Sequence, residues 1–161
     1  MLEKVLKAGV TIITNCRVKK IRKHNAECSL DTQLGLFNAN KVIVGTNGYT
    51  GQFTPWLRRR VIPIGSYMIA TDVLDDDLIN ELMPTDRVIS DTRKVVYYYR
   101  PSPDRRRIIF GGRVTTGEVD VKKSGALLRR DLIGIFPELK NVKVSHSWMG
   151  FVAYTFDELP H

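Results

Sequence analysis

The segment Pro101-Ser102-Pro103-Asp104 limits the possible folds of this chain more than any other feature. It separates two β-rich runs, residues 95–100 and residues 106–111, and Pro, Ser and Asp are residues that favour tight turns. Two strands joined by so short a connection pair antiparallel, because parallel strands need a crossover of about a dozen or more residues. The sequence therefore predicts an antiparallel sheet in the second half of the chain.

Three more β-rich runs extend this predicted sheet, at residues 61–71, 87–91 and 142–154. Apolar residues recur at helical spacing in two other segments. Asp75 is placed to cap the first helix, which Pro84 ends, and Ser124 is placed to cap the second, which Pro137 ends. The predicted fold class is α+β, with a mainly antiparallel sheet and two amphipathic helices.

The front of the chain carries a pattern of shorter elements. Leu2 and Leu6 have helical spacing, and Gly9 is placed to end that helix. Short β-rich runs follow at residues 10–14, 17–22, 26–30, 34–37 and 41–45, and the third and fourth form a plausible hairpin. The last run is apolar after Lys41 and opens into Thr46-Asn47-Gly48-Tyr49, which is typical of a buried strand whose end meets a ligand or another backbone.

The formal net charge of +8 comes with arginine clusters at residues 58–60, 105–107 and 129–130. Such clusters can neutralise phosphates, so a basic nucleic-acid-binding domain is one alternative for the function. Acidic and apolar residues lie close to each cluster, however, and no helix-turn-helix spacing or aromatic platform accompanies them. We therefore interpret the clusters as solvated faces with some contact to an anionic ligand or partner segment, and we expect no nucleic acid partner.

Several features bear on the cellular compartment. No apolar run approaches the roughly 20 residues that cross a bilayer, and the N-terminus alternates charged and apolar residues, unlike a secretory signal. Cys16 and Cys28 have neither metal-ligand spacing nor a supporting histidine cluster, which is typical of thiols in a reducing compartment. The sequence predicts a soluble cytoplasmic protein with no membrane partner.

Several motifs that would define an enzyme class are missing. There is no G-x-G-x-x-G for a dinucleotide and no G-x-S-x-G for a serine hydrolase. Residues 112–117 have the outer glycines of a P-loop, but Glu118 follows where the lysine that contacts phosphate is required. His24, His146 and His161 lack carboxylate partners, so we assign them structural or solvent-exposed roles and predict no metal site.

The run Tyr97-Tyr98-Tyr99-Arg100 stands out beside the apolar run at residues 42–44. Alternation along a strand puts Tyr97 and Tyr99 on one face and Tyr98 on the other. Packing within a sheet explains such aromatic residues, and a phenol that faces a cavity can also form hydrogen bonds or contact a cation. Both interpretations remain open at the level of the residues alone.

A series of short segments has an order along the chain that is more specific than any single segment. They are Gly9-Val10 with Val18, and residues 41–50, 59–67, 98–104, 109–113, 136–139, 147–150 and 157–161. In this order they resemble the D-amino-acid-oxidase-type family of FAD-dependent oxidoreductases, and most closely its gamma-glutamylputrescine oxidoreductase branch. These segments lie in the middle of longer proteins in that family, so the resemblance implies an internal fragment.

The resemblance also implies domains and a reaction. Residues 1–50 would be part of a Rossmann-like FAD-binding domain, residues 51–145 the substrate domain, and residues 146–161 a return segment to the FAD-binding domain. The implied reaction oxidises a small-molecule primary or secondary amine to an imine by hydride transfer to the flavin. The glycine-rich loop that would hold the FAD pyrophosphate is absent, so FAD binding by this chain alone is not implied.

The site residues follow from the same resemblance. Tyr98 and Tyr99 would line the amine pocket, and Trp148 would lie near the flavin. Backbone contacts with FAD would come from four residues, Val18, Thr46, Asn47 and Gly48. Amino-acid oxidases of the family place an arginine after the glycine that corresponds to Gly150, whereas Phe151-Val152-Ala153 follows here. This departure favours an amine over a D-amino acid or glycine as the substrate, although Arg100 and Arg113 could each supply a replacement cation.

One alternative from a different functional class is a standalone binding module that keeps the substrate-domain sheet and uses no cofactor. The missing glycine-rich loop does not separate this alternative from an enzyme fragment, because both predict the loop to be absent. A substrate domain separated from its cofactor domain would expose apolar surface, so self-association is also expected.

Overall fold

The computed structural model of the chain describes residues 1–93, 96–116, 120–157 and Leu159. These residues form two compact units, the first made of residues 1–46 and 50–60, and the second of residues 47–49 and 61–161. Predictions that involve Val95, residues 117–119, Glu158, Pro160 or His161 lie outside the described residues. The functional division at residues 50 and 145 stays a prediction.

The elements of the first unit are α1 (Leu2–Lys7), β1 (Val18–His24), β2 (Glu27–Thr32), β3 (Gly35–Ala39) and α2 (Pro55–Arg58). The three strands form an antiparallel sheet in the order β1-β2-β3. Helix α1 ends just before Gly9 as predicted, since Gly9 has a φ of +78° and donates its N–H to the Leu6 carbonyl. The predicted hairpin is confirmed as β2 and β3, and the Thr32 hydroxyl donates across its turn to the Gly35 carbonyl at 2.8 Å.

Two predicted strands of the first unit are wrong. Residues 10–14 and residues 41–45 lie in none of the described strands, and Ile43, expected to be buried, is 95% exposed. A strand needs a hydrogen-bonded neighbour, and neither segment pairs with another described strand. High β-propensity was therefore not sufficient to make these residues part of a sheet.

The strands of the second unit are β4 (Ile62–Thr71), β5 (Ile89–Ser90), β6 (Tyr98–Pro101), β7 (Ile108–Thr116) and β8 (Val144–Tyr154). They form a five-stranded antiparallel sheet in the order β5-β6-β7-β4-β8, which confirms the predicted α+β class. The helices are α3 (Asp76–Leu82) and α4 (Val121–Ile135), and 3-10 turns cover Asn47–Tyr49 and Pro137–Asn141. No described helix combines the length and the apolar character that crossing a membrane requires.

One face of the five-stranded sheet packs against helix α4. Tyr67 and Ile69 of β4 and Phe110 of β7 are at most 1% exposed and form one apolar cluster with Leu128 and Leu132 of the helix. Burial of a large apolar side chain of this kind stabilises the fold by roughly 1.5–3 kcal/mol. Alternation along β4 places its other side chains on the opposite face, which we call the pocket face.

Helix α4 begins one turn before the predicted cap. Asp120 is its N-cap residue, and the Asp120 carboxylate accepts a hydrogen bond from the Lys122 N–H at 2.8 Å. Ser124 lies inside the helix and is 3% exposed, so its assignment as the cap is wrong. Aspartate and serine cap helices about equally well, and the earlier aspartate takes the position here. Helix α3 begins after Asp75 as predicted, although the Asp75 side chain makes no capping hydrogen bond.

The arginines before β7 tie elements of the second unit together. Arg105 donates to the Asn80 side-chain oxygen and to the Met83 carbonyl, both at 2.9 Å, and so fastens the turn to the end of α3. Arg107 donates to the Thr71 carbonyl at 2.9 Å. The interpretation of this arginine cluster as a solvated face is therefore wrong for these two residues.

Candidate functional site

Four residues form one row across the pocket face of the sheet. Tyr98 of β6 pairs with Gly111 of β7, Gly111 pairs with Met68 of β4, and Met68 pairs with Trp148 of β8. Directly paired residues of antiparallel strands share a face, so these positions point to the same side of the sheet. The row brings together Tyr98 and Trp148, two of the three predicted catalytic residues.

The Tyr98 ring lies flat across the row because Gly111 has no side chain. A Cβ added at Gly111 would lie 2.2 Å from Cε2 of Tyr98, which is closer than van der Waals contact allows. The Tyr98 hydroxyl reaches beyond Gly111 to Ser66 of β4, and the two oxygens are 2.5 Å apart. Tyr98 is thereby fixed as a wall that spans two strands.

A pocket of about 270 Å³ opens along this row. Its volume is just below the roughly 300–1,000 Å³ that is usual for small-molecule sites. Carbon atoms make up most of the wall, and Arg100 brings a charged group, the only one among the lining residues that the structure describes. The pocket is lined by Met68, Val88, Tyr98, Tyr99, Arg100, Ile109 and Trp148.

The three consecutive tyrosines separate as alternation predicts. Tyr97 and Tyr99 have their rings on the helix face, where they lie 5.1 Å and 5.8 Å from the Phe110 ring centroid. The Tyr97 hydroxyl donates to Asp131 of helix α4 at 2.8 Å. Tyr99 borders the pocket, but its ring packs in the core, so Tyr98 is the phenol of this run that faces the pocket.

Strand β8 forms one edge of the sheet, and the Asn47–Tyr49 turn covers it. The Phe151 N–H donates to the Tyr49 hydroxyl at 3.0 Å, and the Ala153 N–H donates to the Asn47 side-chain oxygen at 2.6 Å. Gly48 lies so close to β8 that an added Cβ would be 2.6 Å from the Cβ of Phe151. Phe151 follows Gly150 at the position where the resemblance would place an arginine in an amino-acid oxidase, and here it packs against this turn.

The predicted cofactor contacts are distributed over both units. In the first unit, Val18 begins β1, and the hydroxyls of Thr46 and Thr50 share a hydrogen bond of 2.9 Å. In the second unit, Asn47 and Gly48 hold the edge of β8 as described above. The contact of these residues with FAD stays a prediction.

The described residues do not fit the pyrophosphate of FAD. A dinucleotide needs free backbone N–H groups at a glycine-rich helix start, where negative charge is favoured. Helix α2 begins with Pro55, which has no N–H, and the starts of α1, α3 and α4 carry the acidic residues Glu3, Asp76 and Asp120. A carboxylate at such a position repels phosphate. In the described part of the chain, no three His, Cys, Asp or Glu side chains gather as a metal site either.

Sequence reasoning missed Ser66 and Met68, which lie between the aromatic walls of the pocket. Alternation along the predicted strand at residues 61–71 places these two residues on one face. The pairing register that sets Met68 opposite Trp148, more than seventy residues away, has no local signal in the sequence.

The fold of the chain is also found in a solved protein structure. The structure resembles that of glycine oxidase from Geobacillus kaustophilus, with a TM-score of 0.73 and 20% identity over 97% of this chain and 41% of that one. The chain therefore corresponds in fold to 41% of a longer solved structure.

The sequence comparisons define the family. The family model of FAD-dependent oxidoreductases called DAO matches residues 1–161, and the chain belongs to this family. It is 32% identical over 153 residues to probable oxidoreductase OrdL of Rhizobium meliloti, covering 95% of this chain and 35% of that protein. It is also 32% identical over 139 residues to gamma-glutamylputrescine oxidoreductase of Escherichia coli, covering 86% of this chain and 32% of that protein. The chain therefore spans about a third of the length of these curated relatives.

Proposed function

We propose that the chain supplies the substrate side of an FAD-dependent oxidoreductase that oxidises a primary or secondary amine to an imine. The observation that carries this proposal is the apolar pocket between Tyr98 and Trp148. None of the described residues that line the pocket is a carboxylate, so they offer no counter-ion to an ammonium group and favour the neutral amine. The neutral amine is the form from whose carbon a hydride can leave. In this family FAD supplies the hydride acceptor.

The residue after Gly150 supports an amine rather than an α-amino acid as the substrate. Phe151 occupies that position and packs with its ring 5.5 Å from the ring of Tyr49, so this position itself supplies no cation for an α-carboxylate. The name of the Escherichia coli relative also contains an amine, gamma-glutamylputrescine. Free Cys16 and Cys28 agree with the proposed cytoplasmic location.

We assign three roles within the proposal. Tyr98 forms one wall of the amine pocket and holds its shape through the hydrogen bond to Ser66. Trp148 forms the opposite wall, towards the flavin, and Tyr99 supports the pocket from the core. Val18, Thr46, Asn47 and Gly48 remain the proposed backbone contacts of FAD.

The test starts from the visible spectrum of the purified chain after incubation with excess FAD and desalting. If the chain retains a flavin band, we expect that band to bleach without oxygen when an aliphatic amine is added, and to stay unchanged with a D-amino acid of equal length. Trp148→Leu should abolish this selectivity, whereas Trp56→Leu in the first unit should leave it intact. Bleaching by the D-amino acid and not by the amine would contradict the proposed substrate class.

A second candidate is a cofactor-free binding module that uses the same pocket. It is favoured by the acidic and proline-containing helix starts, which do not fit a pyrophosphate. A colourless protein that still binds amines, detected by isothermal titration calorimetry, would support this second candidate over the enzyme fragment.

A further inference from the structure

We propose that Arg100 anchors a carboxylate that the amine substrate carries at the far end of an apolar spacer. This inference rests on the proposed function for the amine and adds a second recognition group to the same pocket. The ligand class is an amine with a remote carboxylate, as in an ω-amino acid.

Arg100 lies in a second row of residues beside the first. Arg100 of β6 pairs with Ile109 of β7, Ile109 pairs with Ala70 of β4, and Ala70 pairs with His146 of β8. Each of these residues is two positions from a member of the first row, so the second row shares the pocket face. Ala70 and Ile109 form an apolar floor, and Arg100 stands at the β6 end of it.

The guanidinium of Arg100 differs from those of its neighbours in the chain. Arg105 and Arg107 donate to protein oxygens, as described above. Arg100 makes no hydrogen bond or ion pair with any residue that the structure describes. Its five N–H donors are therefore free for a ligand, and their planar geometry suits a carboxylate bound through both oxygens.

The distance across the sheet determines how long the spacer between the amine and the carboxylate must be. Arg100 and Trp148 lie on β6 and β8, which are three strand spacings apart, or roughly 14 Å at the usual spacing of about 4.8 Å. The arginine side chain covers part of this distance, and the carbon-rich wall between the two residues favours methylene groups. An α-amino acid is too short to place its amine at Trp148 and its carboxylate on Arg100.

The test measures binding without turnover. Trp56→Phe leaves Trp148 as the sole tryptophan, so its fluorescence reports on the pocket. The probes are ε-aminocaproate, hexylamine, which lacks the carboxylate, and caproate, which lacks the amine. Arg100→Gln is compared with Arg130→Gln, which removes the same charge from a side chain that is 71% exposed on α4.

We expect ε-aminocaproate to bind more tightly than hexylamine, and Arg100→Gln to remove this advantage with a loss of about tenfold or more. Arg100→Lys should restore part of the affinity, because it keeps the charge but not the paired donors. Arg130→Gln should change nothing. Equal binding of ε-aminocaproate and hexylamine, no response to any probe, or an unchanged affinity in Arg100→Gln would overturn the proposal. The proposed amine function fails separately if caproate and ε-aminocaproate bind equally.

Discussion

The substitution Gly111→Ala tests whether the shape of the pocket depends on a missing side chain. The new Cβ would lie 2.2 Å, 2.6 Å and 2.9 Å from three carbon atoms of the Tyr98 ring. The ring cannot stay over β7 at these distances. It must turn away from the strand, and its hydroxyl then loses Ser66, which lies on the far side of Gly111.

The expected cost combines two effects. Forcing an extra methyl group into a packed site costs about 1–3 kcal/mol. Losing the hydrogen bond between Tyr98 and Ser66 costs about 0.5–1.5 kcal/mol. Replacing a strand glycine by alanine otherwise gains about 0.5–1 kcal/mol through a smaller loss of backbone entropy. We therefore expect Gly111→Ala to lower the free energy of unfolding by about 1–3 kcal/mol.

The assay is a double-mutant cycle of urea unfolding. In the Trp56→Phe background, the fluorescence of Trp148 follows the second unit alone. The effect of Gly111→Ala is measured with Tyr98 present and again in the Tyr98→Ala variant, which lacks the ring that the new methyl group would clash with. The sign should reverse in the second background, because only the entropic gain of up to about 1 kcal/mol remains.

A matched control comes from another glycine of the same unit. Gly134 lies in helix α4, and an added Cβ would meet no atom within 4 Å. Gly134→Ala should stabilise the unit by up to about 1 kcal/mol. The reasoning is refuted if Gly111→Ala costs the same with and without the Tyr98 ring, since the cost would then not arise from that ring.

Three further predictions concern the turns and helix starts of the second unit. Arg105→Ala should lower the free energy of unfolding by about 1–3 kcal/mol, because a carbonyl at the end of α3 loses a charged donor, and Arg105→Lys should recover part of it in the same urea titration. The hydrogen bond from Ser102 lowers the pKa of Asp104 below its ordinary value. The ionised Asp104 carboxylate therefore stabilises the folded state fully above about pH 4 to 5, and this stabilisation is lost as the pH falls through the lowered pKa. Asp104→Asn should therefore flatten the acid limb of a stability–pH curve, and an unchanged limb would contradict the assignment. Asp120→Ala should cost about 0.5–2 kcal/mol by circular dichroism melts and Asp120→Ser much less, because serine also caps.

The antiparallel sheet could be predicted from the sequence because its signals are local. The Pro-Ser-Pro-Asp turn lies between β6 and β7 as expected, and the long run at residues 61–71 became β4. Residues 10–14 and 41–45 have equal β-propensity, yet no described strand pairs with them. β-Propensity is a property of one segment, whereas a sheet requires a second strand that pairs with it. The rest of the fold determines whether such a strand is present.

The pocket could be predicted only in part for a related reason. Alternation placed Tyr98 apart from Tyr97 and Tyr99, and the structure confirms this. It could not place Trp148 opposite Met68, because that contact depends on the register of two strands far apart in the sequence. Gly111 and Gly112 each make room for one tyrosine ring, on opposite faces of the sheet.

The distribution of charge separates the basic character of the chain from the pocket. The first unit contains 11 Lys and Arg and 3 Asp and Glu, whereas the second contains 14 of each kind, so the net charge of +8 belongs to the first unit. A polyanion would bind to the first unit with release of counterions, so its affinity would fall steeply as the salt concentration rises. A carboxylate in the pocket meets a unit without net charge, so its attraction depends on Arg100 itself rather than on a general positive field. Weakening of ligand binding by Arg100→Gln but not by Arg130→Gln is the result that only the local explanation predicts.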